Sequence, residues 1–229
     1  MSARQASVRD IAQRLIAVSD GTNMRVAIDG RTASGKTTFA DELGEELAAL
    51  GRTAIRASVD GFHRPRAERY RRGRMSAEGY YRDARDHDAI VSLLLRPLAP
   101  GSDRLIRTQS FDLASDEPLN EEPQLIDADA ILIVDGTFLQ RPELAEHWDA
   151  VIFIDTDPAL CLERGVQRDA DGLGGQAPAR LSYESRYQPA YELYETEAQP
   201  ERTADVLVDN NNPADPHTTI RPDGRLGPP

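Results

Sequence analysis

The feature that most constrains this chain is the run from Arg25 to Phe39, RVAIDGRTASGKTTF, in which Gly30 to Thr37 read G-x-x-x-x-G-K-[ST]. The apolar residues Val26, Ala27 and Ile28 predict a buried strand ending at Asp29. Thr38 to Leu50 predict a helix with Leu43, Leu47 and Leu50 on its inner face and Gly51 as C-cap. Strand, glycine-bearing turn and helix in that order turn the pattern into a phosphate-binding P-loop. Gly30 and Gly35 reach backbone angles closed to other residues, so N–H groups along Arg31, Thr32, Ala33 and Ser34 can converge on phosphate oxygens. The helix start behind them adds unpaired donors and positive dipole. Lys36 is placed to reach the β- and γ-phosphates and the Thr37 hydroxyl to ligate Mg²⁺, with Thr38 the last of the candidate nucleotide contacts. ATP and Mg²⁺ are the expected cofactors. GTP stays open, since the lack of a guanine-reading N-K-x-D pattern weighs little.

The rest of the chain tells what such a loop would serve. With 229 residues, 29% charged and 39% hydrophobic, the sequence predicts one soluble domain with a full core. Its formal net charge of -12 argues against nucleic acid or an anionic membrane as partner, so any anion site must be a local concentration of arginine. A single cysteine, Cys161, in an apolar helical stretch reads as a buried thiol. The N-terminus lacks an apolar core of signal-peptide type and no run approaches membrane-spanning length, so a cytoplasmic location is expected. No pattern identifies an oligomer interface.

Strand and helix signals alternate along the chain, five apolar strands and one mixed one, which predicts an α/β, three-layer fold: a largely parallel sheet with helices on both faces. Val8 to Val18 read as an amphipathic leading helix. The strand from Thr53 to Val59 ends in Asp60-Gly61-Phe62-His63, where an open α/β sheet places ligand-binding groups. Asp60 is thus either a proton acceptor in line with a γ-phosphate or the start of an Asp-Gly turn. From Arg64 to Arg74 six arginines stand in an otherwise acidic chain, either as a solvated loop or as cations facing the crevice. Tyr80, Tyr81 and Asp83 follow, able to hold a ring or sugar, or to cover a core edge. Asp86 to Leu95 reads as a helix, and Arg104 to Leu113 as the mixed strand, at an edge or in a substrate-covering hairpin. Ala130 to Val134 is apolar at every position, as a central strand buried on both faces requires, and ends in Asp135, a carboxylate on the metal side. Ala150 to Ile154 is a further strand, with Asp155 read as capping the helix from Ala159 to Arg168. That helix offers Arg164 and Arg168 one turn apart, ahead of Gly172, Gly174 and Gly175, which predicts a lid over residues 164–190. Ala179 to Ala198 reads as a helix broken at Pro189, and Ala204 to Val208 as the last strand. Residues 1–212 make the expected domain and 213–229 a flexible tail.

Several stretches together resemble the uridine kinase-like group of P-loop kinases, which includes phosphoribulokinase and bacterial pantothenate kinase: VAIDGRTASGKTTFA, SVDGFH, ILIVDGTFL, CLERGVQRD and YQPAYELYETEAQPERTADVLVDNNNP. The resemblance implies an ATP-dependent phosphotransferase acting on the hydroxyl of a small metabolite, with a nucleoside first, and pantothenate, a sugar or a sugar acid as alternatives. It makes Lys36 and Thr37 phosphate and metal contacts, Asp60 the catalytic aspartate, Asp135 the magnesium-side carboxylate, and Arg164 and Arg168 the lid arginines. His63, Arg64, Tyr81, Asp83 and Phe111 become candidate acceptor contacts, Asp83 for ribose, and Asn210 to Asn212 fall where the family lines its adenine pocket. One stretch departs. Where uridine kinases are expected to read the pyrimidine with a tyrosine and a histidine, this chain has Phe111, Asp112, Leu113, Ala114, Ser115 and Asp116, while DGFH is closer to the pantothenate kinase pattern. A nucleotide-driven switch without an acceptor is the rival of another class.

Overall fold

The computed structural model describes residues 1–227. Ser2 opens helix α1 (Ala3–Ser19) with a reciprocal cap, its hydroxyl accepting from the Gln5 N–H while the Gln5 side chain accepts from the Ser2 N–H. Val8, Ile11, Ala12 and Leu15, three or four residues apart, bury the inner face of α1. Strand β1 (Met24–Gly30) follows, then α2 (Lys36–Ala49), β2 (Ala54–Ser58), β3 (Ile131–Asp135), β4 (Ala150–Asp155), β5 (Val206–Asp209) and β6 (His217–Ile220). They form one sheet in the order β6-β5-β4-β1-β3-β2, parallel throughout except for the β5–β6 pair. Every residue of β1 and β3 is buried, as central strands covered on both faces must be.

One apolar layer packs α1 and α2 on the sheet through Leu15, Phe39, Leu43 and Ile152; the other packs Phe62, Leu94, Trp148, Phe153 and Tyr194 on the opposite face. This is the expected three-layer α/β architecture, and its consequence is that the ends of β1, β2 and β3 open on one crevice.

Between β2 and β3 lie a 3-10 turn (Val59–Gly61), a short helix (Arg66–Arg69) and α3 (Ala77–Asp83). The single mixed strand expected over Arg104 to Leu113 is instead two short ribbons, residues 105–106 paired with 124–125 and residues 111–112 with 117–118. After β4 come α4 (Pro158–Leu173), α5 (Gln176–Ser182), a π turn (Tyr183–Tyr187) and α6 (Gln188–Ala198). Pro189, which has no N–H to give, sits in the first turn of α6, and the widened turn ahead of it takes up the disturbance. Asp157 rather than Asp155 caps α4, accepting from the N–H groups of Ala159 and Leu160.

The flexible tail expected from Pro213 onward is largely absent among the described residues. Residues 217–220 add the antiparallel strand β6, Leu226 is fully buried against the α1 layer, and the Arg225 N–H donates to Asp205 at 2.8 Å. Polar edge strands carry little apolar signal, which is why HTTI did not read as one.

Candidate functional site

A crevice of about 260 Å³ lies where β1, β2 and β3 end, lined by Lys36, Thr37, Asp60, His63, Asp135 and Arg168 among others. On its donor side, both P-loop glycines are forced by close approaches. A Cβ on Gly30 (φ +148) would lie 2.5 Å from the Ile154 carbonyl oxygen, and one on Gly35 (φ +98) 2.5 Å from Asn210 Nδ2. Asn210, placed by sequence in the adenine region, is buried and donates from Nδ2 to the Ser34 carbonyl at 2.7 Å, so it buttresses the loop from behind. Lys36 is buried at the start of α2 and its Nζ donates to the Arg31 carbonyl at 2.5 Å. Burial pulls its ammonium below the usual lysine range, against the opposing charges of Asp29 and Asp135.

Asp29 anchors the turn. It is fully buried, accepts from the Gly30 N–H at 2.8 Å and from Gln140 Nε2 at 3.0 Å, and takes a further hydrogen bond from the Tyr194 hydroxyl of α6. Burial raises its pKa above the usual carboxylate value. The Arg31 side chain leaves the crevice for Tyr191 and Glu195, its guanidinium 4.0 Å from the tyrosine ring centre. Thr38 likewise falls outside the crevice lining, on the exposed side of α2.

At the end of β3, Asp135 accepts from the Thr37 hydroxyl at 2.7 Å and from Arg56 of β2 at 2.9 Å. Hydroxyl and carboxylate are hard oxygen donors, the set Mg²⁺ prefers when phosphates and water complete its shell. No cluster of three acidic, histidine or cysteine side chains able to hold a metal occurs among the described residues.

Asp60 stands in the 3-10 turn after β2, its side chain 69% exposed to the crevice, and Arg85 donates to its Oδ1 at 2.5 Å. The same guanidinium lies 2.6 Å from His63 Nε2, and His63 Nδ1 lies 2.8 Å from the Asp60 carbonyl. A guanidinium only donates, so Nε2 is the acceptor and the ring proton sits on Nδ1, donating to the Asp60 carbonyl. Arg85 holds the Asp60 carboxyl below its usual pKa, and burial together with Arg85 pulls His63 down to about 4. The three groups thus form an ionised, oriented carboxylate with a neutral imidazole behind it.

Of the two arginines on α4, Arg168 lines the crevice, paired to Asp169 at 2.7 Å, whereas Arg164 donates to the backbone carbonyls of Asn210 and Asn211 and is not part of the lining. On the acceptor side the lining is Arg69, Tyr70, Tyr80, Leu113, Arg186 and Tyr187. Four expected acceptor contacts lie outside it. Tyr81 is buried with its hydroxyl donating to Glu197 at 2.9 Å, and Asp83 is buried under Arg71 and Arg72. Phe111 packs behind Arg69, and Arg64 Nε donates to the Arg85 carbonyl at 3.1 Å. Consecutive residues of a helix diverge by about 100°, so α3 turns Tyr80 into the crevice and Tyr81 into the core. Of the six arginines between positions 64 and 74, Arg69 alone lines the crevice. Sequence reading missed Arg56, Arg85 and Arg186, each of which enters the site from an element with no motif of its own.

Residues 26–212 match the phosphoribulokinase / uridine kinase family model. The chain belongs to this family. It is 34% identical to uridine-cytidine kinase B of Dictyostelium discoideum over 80% of its own length and 73% of that protein's. It is 29% identical to a uridine kinase of Leuconostoc citreum over 65% and 70% of the two chains. A structure described as a possible uridine kinase from Bacillus stearothermophilus superimposes with a TM-score of 0.65 at 25% identity, covering 88% of this chain and 98% of that one. The protein is accordingly an ATP-dependent P-loop kinase of the uridine kinase family, a phosphotransferase acting on a hydroxyl. Among its described residues no helix is long and apolar enough to cross a membrane.

Proposed function

We propose that this kinase moves the γ-phosphoryl group of ATP to a hydroxyl of a small metabolite in the cytoplasm, with a nucleoside the acceptor that the names of its relatives support. The observation that carries this reading is the exposed Asp60 carboxylate in the same crevice as Lys36 and Thr37. The loop from Gly30 to Thr37 holds the phosphates and Lys36 meets the β- and γ-oxygens. Thr37 and Asp135 hold Mg²⁺, which when bound supplies positive charge to the phosphate oxygens.

In the reaction the bond from phosphorus to the β–γ bridging oxygen breaks, a bond from phosphorus to the acceptor oxygen forms, and the hydroxyl proton passes to Asp60. Its pairing with Arg85 makes Asp60 a weak base. A weak base suffices where the transition state is loose and positioning dominates. Arg168 supplies a cation to the transferring group, and residues 164–190 act as the lid that carries it. Arg164 has the separate task of fixing Asn210 and Asn211.

The test is ADP release by the whole chain with ATP, Mg²⁺ and one hydroxyl acceptor at a time, uridine and cytidine first. A kinase gives acceptor-dependent release. Slow release that no acceptor stimulates contradicts the reading and favours a nucleotide-driven switch.

A further inference from the structure

Five cations, Lys36, Arg69, Arg85, Arg168 and Arg186, line the crevice with three carboxylates, Asp60, Asp135 and Asp169. Most are spoken for. Arg85 is paired to Asp60, Arg168 to Asp169, and Arg69 to Asp116 at 2.6 Å, while Lys36 belongs to the phosphate loop. Arg186 is different. It is only 9% exposed and has no carboxylate within 4.0 Å among the described residues, and its Nε, like those of Arg69 and Arg85, lacks a hydrogen-bond partner. Its guanidinium is instead walled by rings, 4.7 Å from the centre of Tyr80, 5.3 Å from Tyr70 and 5.4 Å from Tyr187. The Tyr70 hydroxyl meets it as a hydrogen-bond partner, and the aromatic faces fix its direction and offset part of its charge, but none of the three rings supplies a counter-charge.

A buried, unpaired cation is costly unless something completes it. Its position in the π turn ahead of Pro189 adds to the case, since widened turns inside helices recur at functional sites. A carbonyl of a neutral ring would meet one donor without offsetting the charge, whereas a carboxylate or phosphate matches the planar fork and balances it. The turn of the hairpin above puts Leu113, an apolar side chain, into the lining.

We propose that Arg186 forms an oxyanion subsite for the acceptor, so that the metabolite phosphorylated carries a carboxylate or phosphate group besides its reacting hydroxyl. The inference rests on the kinase reading but not on the nucleoside assignment. Arg186 is then a specificity-determining residue, and Tyr70, Tyr80 and Tyr187 hold its guanidinium ready for the anion.

The experiment compares a neutral acceptor set (uridine, cytidine, ribose) with an anionic one (ribose 5-phosphate, gluconate, pantothenate) by ADP release, in the wild type, Arg186→Gln and Arg186→Lys. An anionic acceptor is expected to be used best. Arg186→Gln should raise its KM about 10- to 100-fold, the weight of a charge-assisted hydrogen bond pair, with the ATP KM little changed. Arg186→Lys should fall between, because it keeps the charge and loses the fork. A neutral nucleoside as best acceptor, or a rise confined to the ATP KM, overturns the proposal while leaving the kinase intact.

A second readout needs no turnover. With the P-loop filled by a non-hydrolysable ATP analogue, inorganic sulfate should raise the Tm of the wild type more than that of Arg186→Gln. Equal shifts overturn the subsite. Failure of both acceptor sets to stimulate ADP release would instead strike the kinase reading, and the sulfate comparison would still decide the role of Arg186.

Discussion

On the donor side of the crevice, Gly30 to Thr37 are consecutive residues whose shape is fixed by the backbone of β4 and by Asn210. On the acceptor side, Asp60, Tyr80, Arg85 and Arg186 arrive from a 3-10 turn, α3, the segment after it and a π turn. A triphosphate is read by main-chain N–H groups that any sequence possesses, so the donor side needs only glycines and a lysine in order. An acceptor is read by side chains, and these are free to vary with each element that delivers them. One half of the site is therefore generic to nucleotide chemistry, while the other carries the identity of this enzyme.

Mutations can break that division or sharpen it. Apart from Asp60 itself, the largest expected effect is on α4, where Arg168 faces the crevice and Arg164 holds the backbone after β5. Arg168→Ala should lower kcat about 10²-fold, the scale of losing one electrostatic stabiliser, and Arg164→Ala should stay within about 3-fold in steady-state assays. Equal losses would show that both arginines act on the transferring group. Next comes Arg56, which holds Asp135 from β2. Arg56→Ala should weaken the apparent Mg²⁺ affinity about 10- to 100-fold, read from the Mg²⁺ dependence of the rate, with the acceptor KM unchanged. A change in acceptor KM instead would mean that the two sides of the crevice are coupled through β2.

The smallest effect is on stability. His63 and His87 are both held to about 4 in the folded chain, chiefly by burial and then by Arg85 and Arg141 respectively, against 6.5 when unfolded. Their neutral forms favour the fold above pH 6.5, and the unfolded chain binds the extra protons as pH falls, so stability declines from there and levels off below about pH 4. A Tm drop of roughly 10 °C between neutral pH and pH 5 is expected, about half that in His87→Asn. A flat profile would mean that neither imidazole is kept neutral.

The same contrast explains what could be read from the sequence. Lys36 and Thr37 were legible because they close the G-x-x-x-x-G-K-[ST] pattern at the start of α2, and Asp60 and Asp135 because each lies at or just after the end of a strand, where the strand ends of a parallel sheet converge on one edge. Arg56 was hidden inside β2, where a lone arginine in an apolar run looks like a solvent-facing residue, and Arg85 meets Asp60 only because an isolated bridge joins residues 63 and 85. Tyr80 and Tyr81 were both plausible, and only the rotation of α3 decides between them. Arg186 gave no signal at all, since its environment is made of three tyrosines drawn from three segments.

Asp60→Asn is the most direct test, assayed for turnover with the best acceptor and, separately, for binding of a non-hydrolysable ATP analogue. Turnover should fall about 10²-fold or more, the scale of general-base catalysis, while nucleotide affinity changes less than about 2-fold. Retention of most of the rate, or loss of nucleotide binding in step with it, would contradict the placement of that carboxylate against the acceptor hydroxyl.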